Sequence, residues 1–560
     1  MEIKEKPYQH LFQKNNFIKE LSISIFFISF ILLIYWRSLY GDFIWDDSSY
    51  FIYNDILTHL KPHNVIEIFS KPSNYWNEHL PVRDLLFVVE YNIFGLNPVG
   101  YHAVSIVLYI LIVFLVYLFL QSLYSNYIGK SSVLWPKHSR VPVIAVTLIF
   151  IAYPVHAECV AYISGQKDLL YSLFSLSAIY AFSLLFNATD RKKLLFSIGL
   201  FFYYLALLSK LTGFALFIFI PLLWVISDND QKPKLSMAAS AWLLVNIPAI
   251  SWILINIYKT PLESNISTSA LEHIIVALKV LGAHTALALK PFPLSFGYPF
   301  DRSTTFDPNL LIGIMTFAAT AFIIVFMRKK ILLVFSSALF IAFLLPVLQL
   351  QGYLTNEFVY DRYLFLPVLG TAILFEQGSA FLAVSLKNKA KGFYIALISC
   401  LVIFFAFITI SYIPAFRDDL SSKRNSYNIY PGWQSSTFYY ISALINYGKV
   451  DEADKIISSE NNIYLPLWTK HYFRGLIFIK KGMSDKAMPE LLTASHLSVS
   501  NGYFPYPNIP LAELLLRKEK YSEAQLALHQ VINSPQRKPL DLYQAKQLLG
   551  AISYMEKKQN

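Results

Sequence analysis

The sequence predicts an all-α protein: a polytopic helical membrane domain with about 11 spans, followed by a soluble helical solenoid. Hydrophobic residues make up 55% of the 560 residues and charged residues only 15%, a balance outside the range of soluble globular proteins. Apolar runs of about 20 residues, the helix length that crosses a bilayer, recur up to residue 414. Beyond that residue the composition is that of ordinary soluble helices. We therefore expect domains at 1–414 and 415–560.

Eleven apolar runs are long enough to be spans, and a twelfth is interrupted by charge. The eleven lie near residues 21–40, 101–123, 141–157, 168–188, 193–209, 212–227, 236–258, 309–327, 330–350, 362–385 and 392–414. The twelfth, residues 271–290, contains Glu272, His273, Lys279, His284 and Lys290. Two cysteines, Cys159 and Cys400, are too few for a disulfide framework.

Basic clusters between the runs predict the topology. If the N-terminus is cytoplasmic and the chain crosses at the eleven runs, every cluster lies inside, as the positive-inside rule requires. The clusters are Lys130, Lys137 and Arg140; Arg191, Lys192 and Lys193; Lys232 and Lys234; Arg328, Lys329 and Lys330; and Lys387, Lys389 and Lys391. We therefore expect residues 271–290 to be re-entrant or interfacial on the outer face, and the chain after about residue 415 to be outside. The net charge of +11 then reflects topology rather than nucleic-acid binding.

Two adjacent carboxylates, Asp46 and Asp47, follow the first apolar run directly. A carboxylate inside hydrocarbon costs roughly 2.5–3.5 kcal/mol, so the pair should lie at the water interface, where lipid-borne and water-borne reactants meet. The pattern predicts the mouth of an active site. The alternative is that the acids only end the helix. The long outer loop that follows, about 41–100, contains two segments, 62–70 and 83–94, that suit helices lying in the interface plane.

The soluble C-terminal part has a repeated helix-turn-helix pattern. Three turns end at Ala453, Ala487 and Ala524, which are 34 and 37 residues apart. A period near 34 residues, with a small residue where paired helices approach closely, is typical of tetratricopeptide repeats. Such a solenoid offers a groove to an extended peptide or a partner protein.

Polar residues of four separate loops fall on the predicted outer side. They are the loop with Asp46 and Asp47, the loop from Tyr153 to Asp168, the turn at Ser209 and Lys210, and the segment from Thr355 to Tyr363. Acids and bases gathered on one face of a membrane domain predict a water-filled cavity with a functional site.

Several of these segments resemble a known family in the same order along the chain. They are Tyr40-Gly-Asp-Phe-Ile-Trp-Asp-Asp47, Phe94-Gly-Leu-Asn-Pro-Val-Gly-Tyr-His102, Tyr153-Pro-Val-His-Ala-Glu158, Gly165-Gln-Lys-Asp-Leu-Leu170, Lys290-Pro-Phe-Pro-Leu-Ser-Phe-Gly-Tyr298 and Asp361-Arg-Tyr-Leu-Phe-Leu-Pro367. With the repeats that follow, the chain resembles the transmembrane and tetratricopeptide repeat-containing O-mannosyltransferases and their bacterial relatives. The resemblance implies a GT-C glycosyltransferase. Such an enzyme moves a mannose-like sugar from a polyprenyl-phosphate carrier to an acceptor hydroxyl, such as a protein Ser or Thr.

The chemistry requires a base for the acceptor hydroxyl, a step worth about 10²–10⁴ in rate. In the resemblance this base is an acid of the first loop, hence Asp46 or Asp47, while the other acid positions the acceptor or binds a divalent cation. A lipid phosphate leaving group needs fixed positive charge. Arg362 is the first candidate for this charge, followed by Lys167 and Arg83.

The other candidate residues surround the same chemistry. His156 and Glu158 could ligate a metal or orient the sugar, and Lys210 could pair with an acid or only anchor the topology. Asp168 and Asp361 complete the expected donor-binding set, and the metal requirement stays open. Two alternatives remain, a ligase or polymerase of lipid-linked glycans and a non-catalytic membrane-anchored scaffold. Expected partners are a polyprenyl-phosphate-linked sugar, membrane lipid and an acceptor protein held by the repeats. The expected location is a bacterial inner membrane with site and repeats in the periplasm, or an endoplasmic reticulum with both in the lumen.

Overall fold

The computed structural model describes residues 14–51, 54–72, 78–127, 134–136, 139–187, 191–226, 235–259, 269–303, 305–348, 359–459, 465–500, 505–534 and 539–559. It is 83% helical, and the described residues form no strand, which confirms the all-α class. Four of the basic residues used for topology, Lys130, Lys137, Lys232 and Lys234, lie outside these ranges. So does the segment 355–358 of the fourth predicted loop.

The chain divides into two compact units by its contacts. The first consists of Met1–Asp47, Asp55–Pro72 and His79–Arg417, and the second of Ser48–Asn54, Ser73–Glu78 and Asp418–Asn560. The helices of the first unit are α1 (Lys14–Tyr35), α3 (Asp55–Thr58), α4 (Pro62–Ser70), α5 (Pro81–Phe94), α6 (Pro98–Tyr127), α7 (Val141–Ala152), α8 (His156–Ala161), α9 (Gln166–Asn187), α10 (Lys192–Ser209), α11 (Ala215–Ile226), α12 (Leu235–Lys259), α13 (Ala270–Leu289), α14 (Pro308–Phe326), α15 (Ile331–Leu344), α16 (Pro367–Val384) and α17 (Ala390–Tyr412). A short helix α2 (Asp47–Phe51) follows the first loop.

Every predicted span is an apolar helix. Nine helices in the described ranges are long and apolar enough to cross a membrane, and three more apolar helices are shorter: Val141–Ala152, Leu211–Val225 and Ile331–Val347. The long set includes the weak candidate, now Ala270–Leu289. Helix α7 is short because Pro154 follows closely on its last turn, and a proline cannot extend the hydrogen-bonded ladder. The architecture is that of a multi-pass membrane protein.

Helices α13 and α14 are consecutive, yet they run in the same direction. Gly282 packs against Asn309 and Gly313, and one turn further along both helices the Thr316 hydroxyl donates to Thr285 at 3.2 Å. In a bundle whose consecutive spans alternate, such neighbours would be antiparallel. The connector from 290 to 307 therefore returns along α13, a geometry that favours the predicted re-entrant segment.

Buried Lys279 fixes the returning connector to α13. Its ammonium group lies 2.7 Å from a carboxylate oxygen of Asp307 and donates to the Ser303 carbonyl at 2.8 Å. A buried ammonium group needs such partners because desolvation without them is costly. Asp307 also caps α14 by accepting from the backbone of Leu310 at 3.1 Å.

Glycine at the α13–α14 contact should be irreplaceable. A Cβ at Gly282 would lie 1.8 Å from the Asn309 carbonyl oxygen, so Gly282→Ala must push the helices apart. We expect it to cost at least about 1 kcal/mol of the free energy of unfolding. The measurement is the thermal unfolding midpoint of the purified protein in detergent. Gly392→Ala, where a Cβ would meet nothing within 4 Å, is the control, and an equal effect of both changes would contradict the packing described.

Helix α5 differs from the predicted interfacial helix. The predicted segments 62–70 and 83–94 are indeed helical, as α4 and α5. In α5, however, Arg83, Asp84 and Glu90 are buried, whereas Ile93 is 66% exposed. A helix in the interface plane would turn its charges to water. The polar face of α5 points inward instead, toward the site side of the unit.

The second unit is built from helix pairs: α18 (Asp419–Ile429), α19 (Gln434–Asn446), α20 (Val450–Ser458), α21 (Leu467–Lys480), α22 (Ser484–Ser500), α23 (Asn508–Arg517), α24 (Tyr521–Asn533) and α25 (Pro539–Gln559). The predicted close-packing residues Ala453, Ala487 and Ala524 are all 0% exposed. Two of the tight turns need a left-handed residue, supplied by Gly448 and Gly482 with φ of 74° and 73°. The helix-turn-helix pairs are therefore present, while their tetratricopeptide class stays a prediction.

Candidate functional site

The four predicted loops meet in the first unit. The first loop binds the second where Ser164 donates to Asp47, and the second binds the fourth where Arg362 donates to Glu158. The third joins them through an ion pair of Lys210 with Asp168. Residues far apart in sequence thus form one polar centre, as the sequence predicts.

Asp47 holds the first loop in place. Its carboxylate is fully buried and accepts from the backbone N–H of Ser164 at 2.9 Å, from the Ser164 hydroxyl, and from the backbone N–H of Ile44 at 3.0 Å. Burial raises the pKa of Asp47 to about 8, and the three hydrogen bonds act in the opposite direction. Of the two predicted candidates for the base, Asp47 is therefore the enclosed one, and its catalytic role stays a prediction.

Asp46 is the more accessible of the two acids. It is partly exposed, and its backbone N–H donates to the Tyr162 hydroxyl at 3.2 Å. Tyr162 interacts electrostatically with Asp46 and with Arg362, so both charges lie within reach of its phenol group. A carboxylate and a fixed positive charge therefore lie in the neighbourhood of the same tyrosine.

Trp45, just before the acid, has a left-handed backbone with φ of 50°. Such a conformation costs about 1–2 kcal/mol per non-glycine residue and is concentrated at functional sites. The indole ring stacks on Phe296 with ring centres 4.5 Å apart and planes at 8°. Phe296 in turn meets the edge of Tyr162 at 5.3 Å. Three aromatic rings therefore fix the backbone that carries Asp46.

Arg362 is held in a fixed orientation by Glu158. Its Nη1 donates to Oε1 at 2.7 Å and its backbone N–H donates to Oε2 at 2.9 Å. The guanidinium carbon lies 4.0 Å from the ring centre of Tyr360. Burial raises the pKa of Glu158 and the charge of Arg362 opposes that rise. A guanidinium group has five N–H donors, so this pairing leaves donors for a ligand oxyanion.

Lys210 pairs with an acid, which is one of its two predicted roles. It forms its ion pair with buried Asp168, and its ammonium nitrogen lies 5.1 Å from the ring centre of Tyr363. Glu158 interacts with Arg362, Asp168 and Lys210 alike. Two acids and two bases thus form one compact, charge-balanced cluster.

His156, whose role as a metal ligand or sugar-orienting residue stays a prediction, has both ring nitrogens hydrogen-bonded within the protein. Its ring is fully buried, with Nε2 donating to the Phe365 carbonyl at 3.1 Å and Nδ1 accepting from the Tyr109 hydroxyl at 2.9 Å. Burial lowers the pKa of His156 to about 3, so the ring is neutral. Both nitrogens are occupied. Within the described ranges, no group of three or more His, Cys, Asp or Glu side chains could hold a metal ion.

Asp361 is bound to another segment of the site by a hydrogen bond, and its donor-binding role stays a prediction. It is fully buried and accepts from the Tyr298 hydroxyl at 2.6 Å. Burial, reinforced by the charge of Glu158, raises the pKa of Asp361 and favours its protonated form. The bond ties the segment of Phe296 to that of Arg362.

Arg83 and Lys167 are the other two residues predicted to bind the donor phosphate. Arg83 is buried and its Nη2 lies 2.6 Å from a carboxylate oxygen of its neighbour Asp84. Lys167 is half-buried at the start of α9. Their roles in binding a donor phosphate stay predictions.

Glu90 makes stability depend on pH. It accepts from the Gln166 amide at 2.8 Å, and burial raises its pKa from 4.5 to about 8. Between these values the folded state holds a proton that the unfolded state loses, so stability falls as pH rises from about 4.5 to 8. Glu90→Gln removes this contribution. We expect the thermal unfolding midpoint of Glu90→Gln to rise relative to that of the wild type as pH rises. For the exposed Glu513→Gln, the difference from the wild type should be the same at every pH. Parallel curves for Glu90→Gln would contradict the assignment.

Sequence reasoning did not assign roles to Trp45, Phe296 and Tyr162, although all three lie in quoted segments. Their contacts, Trp45 on Phe296 and Phe296 against Tyr162, join residues more than 100 positions apart. The one sequence feature that points to these residues is their position as aromatic residues in loops that also contain charged residues. Aromatic residues that only pack in a core show the same feature.

Comparison with known proteins finds curated proteins that are similar to part of this chain. Over 173 residues the chain is 32% identical to Protein O-mannosyl-transferase TMTC4 of Mus musculus, covering 29% of this chain and 23% of that protein. The chain is similar to protein O-mannosyl-transferases. Protein O-mannosyl-transferase TMTC3 of Homo sapiens is 26% identical over 172 residues, 30% of this chain and 17% of the relative. Protein O-mannosyl-transferase TMTC1 of Mus musculus is 25% identical over 226 residues, 37% of this chain and 22% of the relative.

These matches confirm the predicted resemblance, because all three relatives are named as protein O-mannosyl-transferases. The chain spans less than a quarter of the length of the curated relatives it matches. No protein-family model matches the chain, and no solved structure matches it.

Proposed function

We propose that this protein is a membrane glycosyltransferase that moves a mannose-like sugar from a polyprenyl-phosphate carrier to a Ser or Thr hydroxyl of an acceptor protein. The observation that carries the proposal is that a partly exposed carboxylate, Asp46, and an oriented guanidinium group, Arg362, both lie near the hydroxyl-bearing ring of Tyr162. The names of the O-mannosyl-transferase relatives supply the sugar and the protein acceptor.

In this proposal Asp46 is the base. The acceptor oxygen forms a bond to the anomeric carbon while its proton passes to the Asp46 carboxylate. The bond from the anomeric carbon to the phosphate oxygen breaks, and polyprenyl phosphate leaves with the electron pair. Attack opposite to the leaving group inverts the anomeric centre. Asp47 and Trp45 fix the base because they hold the loop backbone on either side of it.

Arg362 and Lys210 stabilise the phosphate that leaves. The negative charge on the leaving oxygen grows in the transition state, and preorganised donors are most effective there because they need no reorganisation. Glu158 orients the guanidinium group by two hydrogen bonds, and Asp168 restrains the ammonium group. The acids that pair with these cations also neutralise the charge of the centre, which lowers the cost of burying it.

The membrane orientation follows the sequence prediction. Site and C-terminal helices face the non-cytosolic compartment, and the helix pairs recruit the acceptor protein. The fitting location is a bacterial inner membrane with a periplasmic site, or an endoplasmic reticulum membrane with a luminal one.

The test is the intact mass of membrane and secreted proteins from cells with and without this chain. The proposal predicts acceptors that are heavier by whole hexose units only when the chain is present. Hexose gain on lipid-linked glycans with unchanged protein masses would instead identify a glycan ligase. Unchanged masses in both classes would leave only a scaffold and refute the proposal.

A further inference from the structure

A cavity of about 190 Å³ lies beside the centre described above. It forms where the chain leaves α1 and where it leaves α17, and its wall includes Arg37, Tyr40, Ile413, Pro414, Phe416 and Arg417. The backbone N–H of Asp42 donates to the Arg417 carbonyl at 2.8 Å and so joins the two chain segments.

Two arginines, Arg37 and Arg417, line this otherwise mostly apolar cavity. Arg37 is exposed, and its guanidinium carbon lies 5.6 Å from the ring centre of Trp36. Within the described part of the chain, Arg37 makes no ion pair with a carboxylate. Positive charge beside an apolar wall is suited to an anionic headgroup whose hydrocarbon part contacts the wall.

The position along the helices points to the membrane surface. The apolar helix of Arg37 runs from Phe17 to Tyr40, and that of Phe416 from Lys387 to Phe416. The cavity lies at the end of the second helix that is remote from Lys387 and Lys389. Trp36 and Tyr40 are 46% and 70% exposed, and such aromatic residues are enriched at the level of lipid headgroups.

We propose that this cavity binds the phosphate group of a membrane lipid between Arg37 and Arg417. The lipid's hydrocarbon part lies against Ile413 and Phe416. Arg37 is exposed, as an arginine that anchors a helix is, but an anchor needs no cavity beside it. The apolar pocket beside the two guanidinium groups favours a bound lipid over simple anchoring.

The cavity does not include the residues proposed to bind the donor phosphate. Aromatic packing connects it to the loop that carries Asp46. Phe416, in the cavity wall, lies 6.2 Å from Phe296 between ring centres. Phe296 stacks on Trp45, the residue before Asp46. The occupied cavity therefore buttresses the aromatic group that holds the catalytic loop. The lipid site itself does not depend on the proposed glycosyltransferase activity.

The experiment is native mass spectrometry of the purified full-length chain with phosphatidic acid, phosphatidylglycerol or phosphatidylcholine, and with inorganic phosphate alone. We expect the two anionic lipids to bind at least about tenfold more tightly than phosphatidylcholine, because a charge-assisted contact is worth roughly one decade of affinity. Arg37→Gln should weaken them about tenfold and Arg37→Gln with Arg417→Gln more. Arg191→Gln, an exposed arginine elsewhere, is the control.

Each outcome decides the proposal. Loss of anionic-lipid binding in the Arg37→Gln protein, with an unchanged thermal unfolding midpoint, supports it. Equal binding by wild type and both variants overturns it, as does phosphatidylcholine binding as tightly as phosphatidylglycerol. Inorganic phosphate binding as tightly as the anionic lipids would show a free-phosphate site and also overturn it. If the double variant does not fold, the single exposed variant still decides.

Discussion

Replacing Asp46 with Asn is expected to lower the rate of sugar transfer by about 10²–10⁴ while leaving the fold intact. The side chain is partly exposed, and Asn matches it in size but cannot take the proton of the acceptor hydroxyl. The measurement is transfer of radiolabelled sugar from a polyprenyl-phosphate donor by the purified, reconstituted chain. Because the loss affects the chemical step, it should appear in kcat with little change in KM for the donor.

Asp47→Asn is the matched control, with the opposite expectation. Asp47 accepts on both oxygens from Ser164 and from the Ile44 backbone. Whichever way Asn is turned, its NH2 group faces a backbone N–H. We expect a loss of about 1–3 kcal/mol in the free energy of unfolding, because a buried donor loses its acceptor. If instead Asp47→Asn is stable and inactive while Asp46→Asn retains activity, the roles of the two acids are reversed.

The second large effect is expected at the pair of Arg362 and Glu158. Arg362→Gln leaves the fully buried Glu158 without its cation, and breaking a buried pair costs about 3–5 kcal/mol. Glu158→Gln with Arg362→Gln should restore most of that stability, because two neutral amides need no charge compensation. It should not restore sugar transfer, since no guanidinium group remains for the leaving phosphate.

A double-mutant cycle measures whether stability and sugar transfer respond differently to the loss of this pair. Thermal unfolding and sugar transfer are followed for both single variants and for the pair. The matched control is the exposed pair Lys518 and Asp485, with a nitrogen to oxygen distance of 2.7 Å, which should be worth less than about 1 kcal/mol. Transfer recovered in the double variant would show that Arg362 only neutralises Glu158.

The helices and the meeting of the loops follow from sequence because they depend on local pattern and topology. Apolar length alone predicts the spans, and polar residues displaced from hydrocarbon must gather at its border. The convergence of Asp47, Glu158, Lys210 and Arg362 on one centre is a consequence of that rule and not of any single motif.

The direction in which each side chain points could not be predicted from the sequence. Asp46 and Asp47 are neighbours with the same charge, and only the contact of Ser164 with Asp47 distinguishes the proposed base from the enclosed acid. His156 and Glu158 share a ligand-like spacing, yet one contacts Tyr109 and the other Arg362. The parallel course of α13 and α14 likewise depends on Gly282 meeting Asn309, a contact between separate segments.

The most direct measurement of the central claim is sugar transfer by the purified full-length chain and its Asp46→Asn variant, reconstituted with polyprenyl-phosphate mannose and an acceptor protein. The account predicts labelled mannose on Ser or Thr of the acceptor with the wild type and almost none with the variant. Equal labelling by both proteins would contradict it.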